Sequence, residues 1–210
     1  MTSCFIDHIV ITAPTLEAGA ELVKKTLGVN PQKGGEHPRM GTHNLLLRLG
    51  DSVYLEVISP DPAAENPNRP RWFALDEIKS DAPPTLKSWV VRTADIQSTA
   101  KTCSEPVGDI ESMSRGEMDW LITIPKDGHI PINEGAPALI QWQVEPYPAS
   151  RLEDHGLSLT QLQIFHPEPE RLSNFLNSIH LEGNIKVLYG RKKRLVAHIE
   201  TLQGVRELSA

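Results

Sequence analysis

Apolar residues dominate from Phe5 to Thr12 and again from Tyr54 to Ser59, each run interrupted near its centre by ionisable side chains, the make-up of strands largely buried. Between them Leu16, Ala20, Val23 and Leu27 recur at helical spacing, with Pro14 and Thr15 in front and Gly28 behind. That predicts a short amphipathic helix closed by a glycine cap. Short strands are expected over Asn44 to Leu49 and Val53 to Ser59, separated by the hairpin signal Gly50-Asp51-Ser52. The residues from Gly34 to Asn44 read as a loop between helix and strand.

The same order starts again near Leu86 and near Leu159. In the second copy Asp95 caps a helix carrying Ile96, Ala100 and Cys103, and strands follow over about Gly108 to Met113, Met118 to Ile124 and Ala138 to Val144. In the third, a helix opening at Pro167 to Pro169 places Leu172, Phe175, Leu176 and Ile179 on one stripe, before strands over Ile185 to Tyr189 and Leu195 to Thr201. The prediction is an α+β protein with helices on one face of curved, mostly antiparallel sheets. Its expected parts are a first module over 1–60, a linker with a short helix over 61–85, a second module over 86–145 and a partial third over 146–210.

Strand alternation puts His8 on one face with Ile6, Val10 and Thr12, and Glu56 opposite Leu55 and Val57. His8 by itself reads as a hydrogen-bonded histidine of an apolar strand. A carboxylate on such a strand needs a partner, because burying it alone is costly. Together the two form a candidate functional pair on the inner face of one curved sheet.

The formal net charge of -6 argues against a nucleic-acid footprint. The one basic run, Arg191 to Arg194, lies between apolar strands and reads as a solvated hairpin turn. No apolar stretch reaches the roughly 20 residues of a membrane helix, and the first residues lack the layout of a signal peptide, so a cytoplasmic location is expected. Cys4 and Cys103 lack metal or redox spacing and read as free thiols. Nucleophile-elbow, phosphate-loop, dinucleotide and His-Glu-x-x-His signatures do not occur.

Three stretches carry a resemblance: Ile6-Asp-His-Ile-Val10 with its helix ending in Leu27-Gly28, then Gly34 to Asn44, then Tyr54-Leu-Glu56. Ser114-Arg115 with Met118-Asp-Trp120, and Leu139-Ile-Gln-Trp142, match a second module. Over about residues 5 to 145 the chain resembles the glyoxalase-like domains of the vicinal oxygen chelate superfamily. The resemblance implies paired βαβββ modules closing into a cup, and a divalent metal held by the first and last strand of each module. It implies a shared step as well, in which the metal chelates vicinal substrate oxygens and stabilises an oxyanion.

Carried over by position, His8 and Glu56 are the metal ligands of the first module, with Glu56 also placed to move a proton. In the second module Trp89 and Gln141 fall at the matching positions, an indole that cannot ligate and an amide that ligates weakly. In the third, Gln161 and His198 fall near them. A metal held by His8 and Glu56 would be zinc, manganese, iron, cobalt or nickel; without one, the pair acts as donor and acceptor for a polar ligand. His37, Arg39, Trp89, Arg115, Trp120 and Gln141 are candidate ligand-binding residues, whereas Trp142, on the face opposite Gln141, is expected in the core. Two readings stay open: a metal-dependent isomerase, lyase or dioxygenase, and a metal-free protein that binds a small molecule. A homodimer is expected from the exposed sheet edges.

Overall fold

The computed structural model describes residues 3–209, so the module ends expected at 1 and 210 lie outside the described residues. The first module contains β1 (Cys4–Thr12), α1 (Leu16–Leu27), β2 (Gln32–His37), β3 (Thr42–Arg48) and β4 (Tyr54–Pro60). The second contains β5 (Thr85–Arg92), α2 (Ile96–Thr102), β6 (Asp109–Arg115), β7 (Met118–Ile124) and β8 (Ala138–Trp142). The predicted caps form. Thr15 Oγ1 accepts the Ala18 N–H at 3.2 Å, and Gly28 takes the left-handed φ of 80° that ends α1. Asp95 accepts the Ser98 N–H at 2.9 Å at the start of α2.

These strands form one strongly curved sheet in the order β2-β3-β4-β1-β5-β8-β7-β6. The order is palindromic: in each module the first strand pairs with the last in parallel, and the two first strands join the halves antiparallel. Both first strands carry a register shift at the same place. Asp7 is the extra residue on β1 and Lys87 the extra residue on β5. Each lies equally far before its helix, Asp7 ahead of Leu16 and Lys87 ahead of Ile96. The repeat thus extends to an irregularity that a sequence pattern does not display.

The remaining chain forms β9 (Ser158–His166), α3 (Pro169–Ser178), β10 (Leu181–Glu182), β11 (Ile185–Tyr189), β12 (Arg194–Thr201) and β13 (Gly204–Leu208). It opens strand then helix like the other copies, but its pairing differs. A second sheet runs β11-β9-β12-β13, while β10 leaves it to pair with β1. Gln161 and His198 face each other in that second sheet. Because β11 and β12 flank β9 on opposite sides, the basic run between them is a crossover and not the expected hairpin turn. Both sheets share one buried core, which includes Ile9, Trp89, Phe175 and Ile199.

One further expectation is corrected. The stretch expected as a loop begins with strand β2, paired to β3 from Gln32 to His37. Gln-Lys-Gly-Gly-Glu-His has no apolar alternation to reveal it, and its strand geometry comes from its partner.

Candidate functional site

On the concave face a cavity is bounded by His8, His37, Asn44, Tyr54 and Glu56 of the first module and by Arg115, Trp120, Ile122, Ile140 and Trp142 of the second. Trp72 and Phe73, from the turn between modules, close it. Its volume is about 30 Å³. A polar wall built mainly on the first module and completed by Arg115 of the second therefore adjoins an apolar wall from the second.

Strand register builds the polar wall. His8 pairs with Tyr54 across β1 and β4, and the rings stack at 4.5 Å. The bulge lets neighbouring side chains meet, so Asp7 Oδ1 accepts the His8 Nδ1 proton at 2.7 Å and breaks the strict alternation expected from Ile6 onward. Trp142 Nε1 donates to the other Asp7 oxygen at 2.9 Å. On its far side His8 Nε2 faces Glu56 Oε2 at 3.5 Å. Glu56 Oε1 accepts from Asn44 Nδ2 at 2.6 Å.

Asn44 can point only one way. Its Oδ1 accepts the Gly35 N–H at 2.9 Å and Arg115 Nη1 at 3.2 Å, so its amide nitrogen must face Glu56. Arg115 Nη1 also donates to His37 Nε2 at 3.3 Å. The other ring nitrogen of His37 then carries the proton and faces Thr42 Oγ1 at 3.2 Å.

Three titrations follow from this packing. Burial alone would lower the His8 value, but the hydrogen bonds and charges of Asp7 and Glu56 outweigh it and push His8 up to about 9. Burial would raise Glu56, yet the His8 bond and charge, helped by His37 and Asn44, bring it down to about 2. Burial is the main cause that depresses His37 to about 4, with the Arg115 charge acting the same way against Glu56. At neutral pH the wall therefore presents an imidazolium, a carboxylate, a neutral imidazole and a guanidinium.

The expected residues divide. His8, Glu56, His37, Arg115 and Trp120 line the cavity. Arg39 lies at the sheet seam, donating to Glu111 at 2.6 Å and to the Ser112 carbonyl at 2.8 Å. Trp89 pairs with Ile9, on the face opposite His8, and its indole donates to the Gly135 carbonyl at 3.1 Å. Gln141 turns away to accept the Ile96 N–H at 2.9 Å at the head of α2. Trp142, expected in the core, lines the cavity and stacks obliquely on Trp120 at 5.3 Å. Asp7, Asn44, Tyr54, Trp72, Ile122 and Ile140 were not singled out by the pattern.

The register also corrects the positional match between modules. Val10 pairs with both Ser88 and Glu56, and Val90 pairs with both His8 and Ala138. Ser88 is therefore the counterpart of His8, and Ala138 the counterpart of Glu56. The Ser88 hydroxyl is buried without a hydrogen-bond partner among the described residues. The four equivalent positions thus supply an imidazole, a carboxylate, a neutral hydroxyl and a methyl group. Among the described residues no group of three or more His, Cys, Asp or Glu side chains could hold a metal ion. With His8 set between Asp7 and Glu56, Glu56 held by Asn44 and His37 Nε2 taken by Arg115, these side chains do not fit a divalent ion held wholly by the protein.

The profile described as a glyoxalase-like domain matches residues 6–179. No curated protein matches the chain. Among solved structures, a hypothetical protein from Staphylococcus aureus is 14% identical, over 90% of this chain and 87% of that one, with a TM-score of 0.61. A methylmalonyl-CoA epimerase from Streptomyces coelicolor, in complex with 2-nitronate-propionyl-CoA, is 21% identical over 66% of this chain and 97% of its own, with a TM-score of 0.44. A mutant 4-hydroxymandelate synthase from Streptomyces coelicolor is 11% identical over 97% of this chain and 61% of its own, with a TM-score of 0.47.

Proposed function

The chain belongs to the glyoxalase-like domain family, and on that premise we propose that it binds a small organic molecule in the cup between its modules, without a metal as the anchor. The observation that carries this reading is the division of the cavity wall. His8, Glu56, His37 and Arg115 offer fixed charge and donors on one side, and Trp120, Trp142, Ile122 and Ile140 offer apolar surface on the other. Convergent polar groups in an apolar concavity are the usual make-up of a small-molecule site.

Trp72 and Phe73, from the segment between the modules, form part of the cavity rim. Phe73 and Ala74 hold left-handed φ angles of 58° and 50°, conformations that cost L residues energy and that recur at ligand clamps. Glu56 is the group for proton transfer in this reading. Beside a protonated His8 its carboxylate is a weak base, and a ligand that parts the two restores its basicity. Two cysteines left as free thiols, Cys4 and Cys103, support a cytoplasmic setting.

Tryptophan fluorescence in chelator-containing buffer tests the proposal, because Trp72, Trp120 and Trp142 line the cup while Trp89 does not. Saturable quenching by members of a small-molecule panel, weakened in Glu56→Gln, is expected. Uptake that appears only after a stoichiometric metal is added would overturn it.

A further inference from the structure

The cup wall contains donors with no acceptor among the described residues. Arg115 spends both Nη1 hydrogens on neutral acceptors, Asn44 Oδ1 and His37 Nε2. Its Nη2 and Nε have no acceptor among the described residues, and no carboxylate there pairs with it. Trp72 is 5% exposed, and its indole Nε1 is buried without a partner among the described residues. A buried N–H left unmatched is costly, and Trp72 lines the same cavity as Arg115.

The charges point the same way. Glu56 is already answered by His8 and by the Asn44 amide. His37 adds no charge. The guanidinium is the one charge on the lining without a counter-ion among the described residues, and its planar fork matches a carboxylate better than any other small anion of one charge. Trp120, Ile122, Ile140 and Trp142 line the same cavity with apolar surface.

We propose that the cup selects small monocarboxylates: the Arg115 fork and the Trp72 indole N–H take the carboxylate, and Trp120, Trp142 and Ile140 take an apolar body. This rests on the reading that the cup binds a small molecule and names the class it takes. The Gly34-Gly35 pair belongs to the same device. A Cβ on Gly35 would lie 2.6 Å from Arg115 Cδ, and one on Gly34 would collide with the Asn44 amide. The two glycines leave room for the side chains that aim Arg115 and Glu56.

The test uses nitrogen-15-labelled full-length protein in chelator-containing buffer. Its four tryptophans give four indole N–H signals, and Trp72→Phe assigns the one of interest. Acetate, propionate, benzoate and phenylacetate are titrated beside their neutral amides. The expected result is that at least one acid moves the Trp72 signal and binds about tenfold or more tightly than its amide, the scale of one charge-assisted hydrogen bond. Arg115→Gln should remove that preference, and Arg115→Lys should keep only part of it; preserved spectral dispersion shows that both variants fold. Acids and amides moving the Trp120 and Trp142 signals equally would overturn the monocarboxylate assignment and leave the small-molecule reading standing. If neither series moves any cavity tryptophan, both fall.

Discussion

Arg115 passes directly over Gly35, its Cδ 2.6 Å from where a side chain on that glycine would begin. The two residues belong to strands at opposite ends of the curved sheet, β2 and β6, so this contact is where the cup closes on itself. With Arg39 reaching Glu111 across the same seam, it explains why a polar, glycine-containing strand forms one edge of the site. Gly35→Ala should destabilise the protein by about 1–3 kcal/mol, as overpacking does, and lower ligand affinity. In an Arg115→Ala background the same change should cost much less. Denaturant melts of the four proteins in the cycle measure the coupling; additive costs would show that the two do not interact.

Asn44 carries the orientation of Glu56. Removing it in Asn44→Ala leaves a buried carboxylate oxygen without its 2.6 Å donor, a loss of about 1–3 kcal/mol. Asn44→Asp sets a second carboxylate against Glu56 and should cost more at neutral pH than at pH 4. Urea unfolding at the two pH values checks the sign.

The buried charges set a pH profile. His8 is raised from 6.5 to about 9, so its contribution is complete below pH 6.5 and is lost as pH climbs through 9. Glu56 is lowered from 4.5 to about 2, so its contribution is present above pH 4.5 and is lost as pH falls through 2. His37, depressed from 6.5 to about 4, acts in the opposite sense to His8 and removes stability as pH falls over that interval. Thermal melts of the wild type and His8→Gln should therefore converge between pH 6.5 and 9, the wild type losing its advantage. A constant gap across that range would contradict the protonated state of His8.

Neither thiol is built to react. Burial raises Cys4, and burial with Cys4 beside it pushes Cys103 up to about 11, so little thiolate forms at neutral pH. A chromogenic disulfide reagent at pH 8 should label the buried Cys4 only as fast as the protein unfolds and the half-buried Cys103 slowly, and rapid native labelling of Cys4 would count against the packing around it.

Much of this was legible in the chain. β1 and β4 are apolar runs broken by an ionisable residue, and α1 and α2 carry their own caps, so local rules suffice. His8 and Glu56 were visible because a charge on an apolar strand needs a reason. What pairing decides was not legible. The bulge at Asp7 exists only against β5, and without it the Asp7–His8 bond has no sequence signature. One residue separates Trp89 from Ser88 and three separate Gln141 from Ala138, and a slip by an odd number exchanges the two faces of a strand. That is why Trp142 was expected in the core and Trp89 in the cup. β2 was hidden for a related reason: Gly34 and Gly35 are chosen for the space they leave to Asn44 and Arg115, not for strand propensity.

The cavity joins a polar wall, which Arg115 of the second module completes, to an apolar one, and among the described residues no group of three or more His, Cys, Asp or Glu side chains could hold a metal ion. Elemental mass spectrometry of the purified protein, loaded in turn with zinc, manganese, iron, cobalt and nickel and then desalted, tests it most directly. Well under one metal per chain is expected, unchanged in His8→Ala and Glu56→Ala. One metal per chain, lost in both variants, would contradict it.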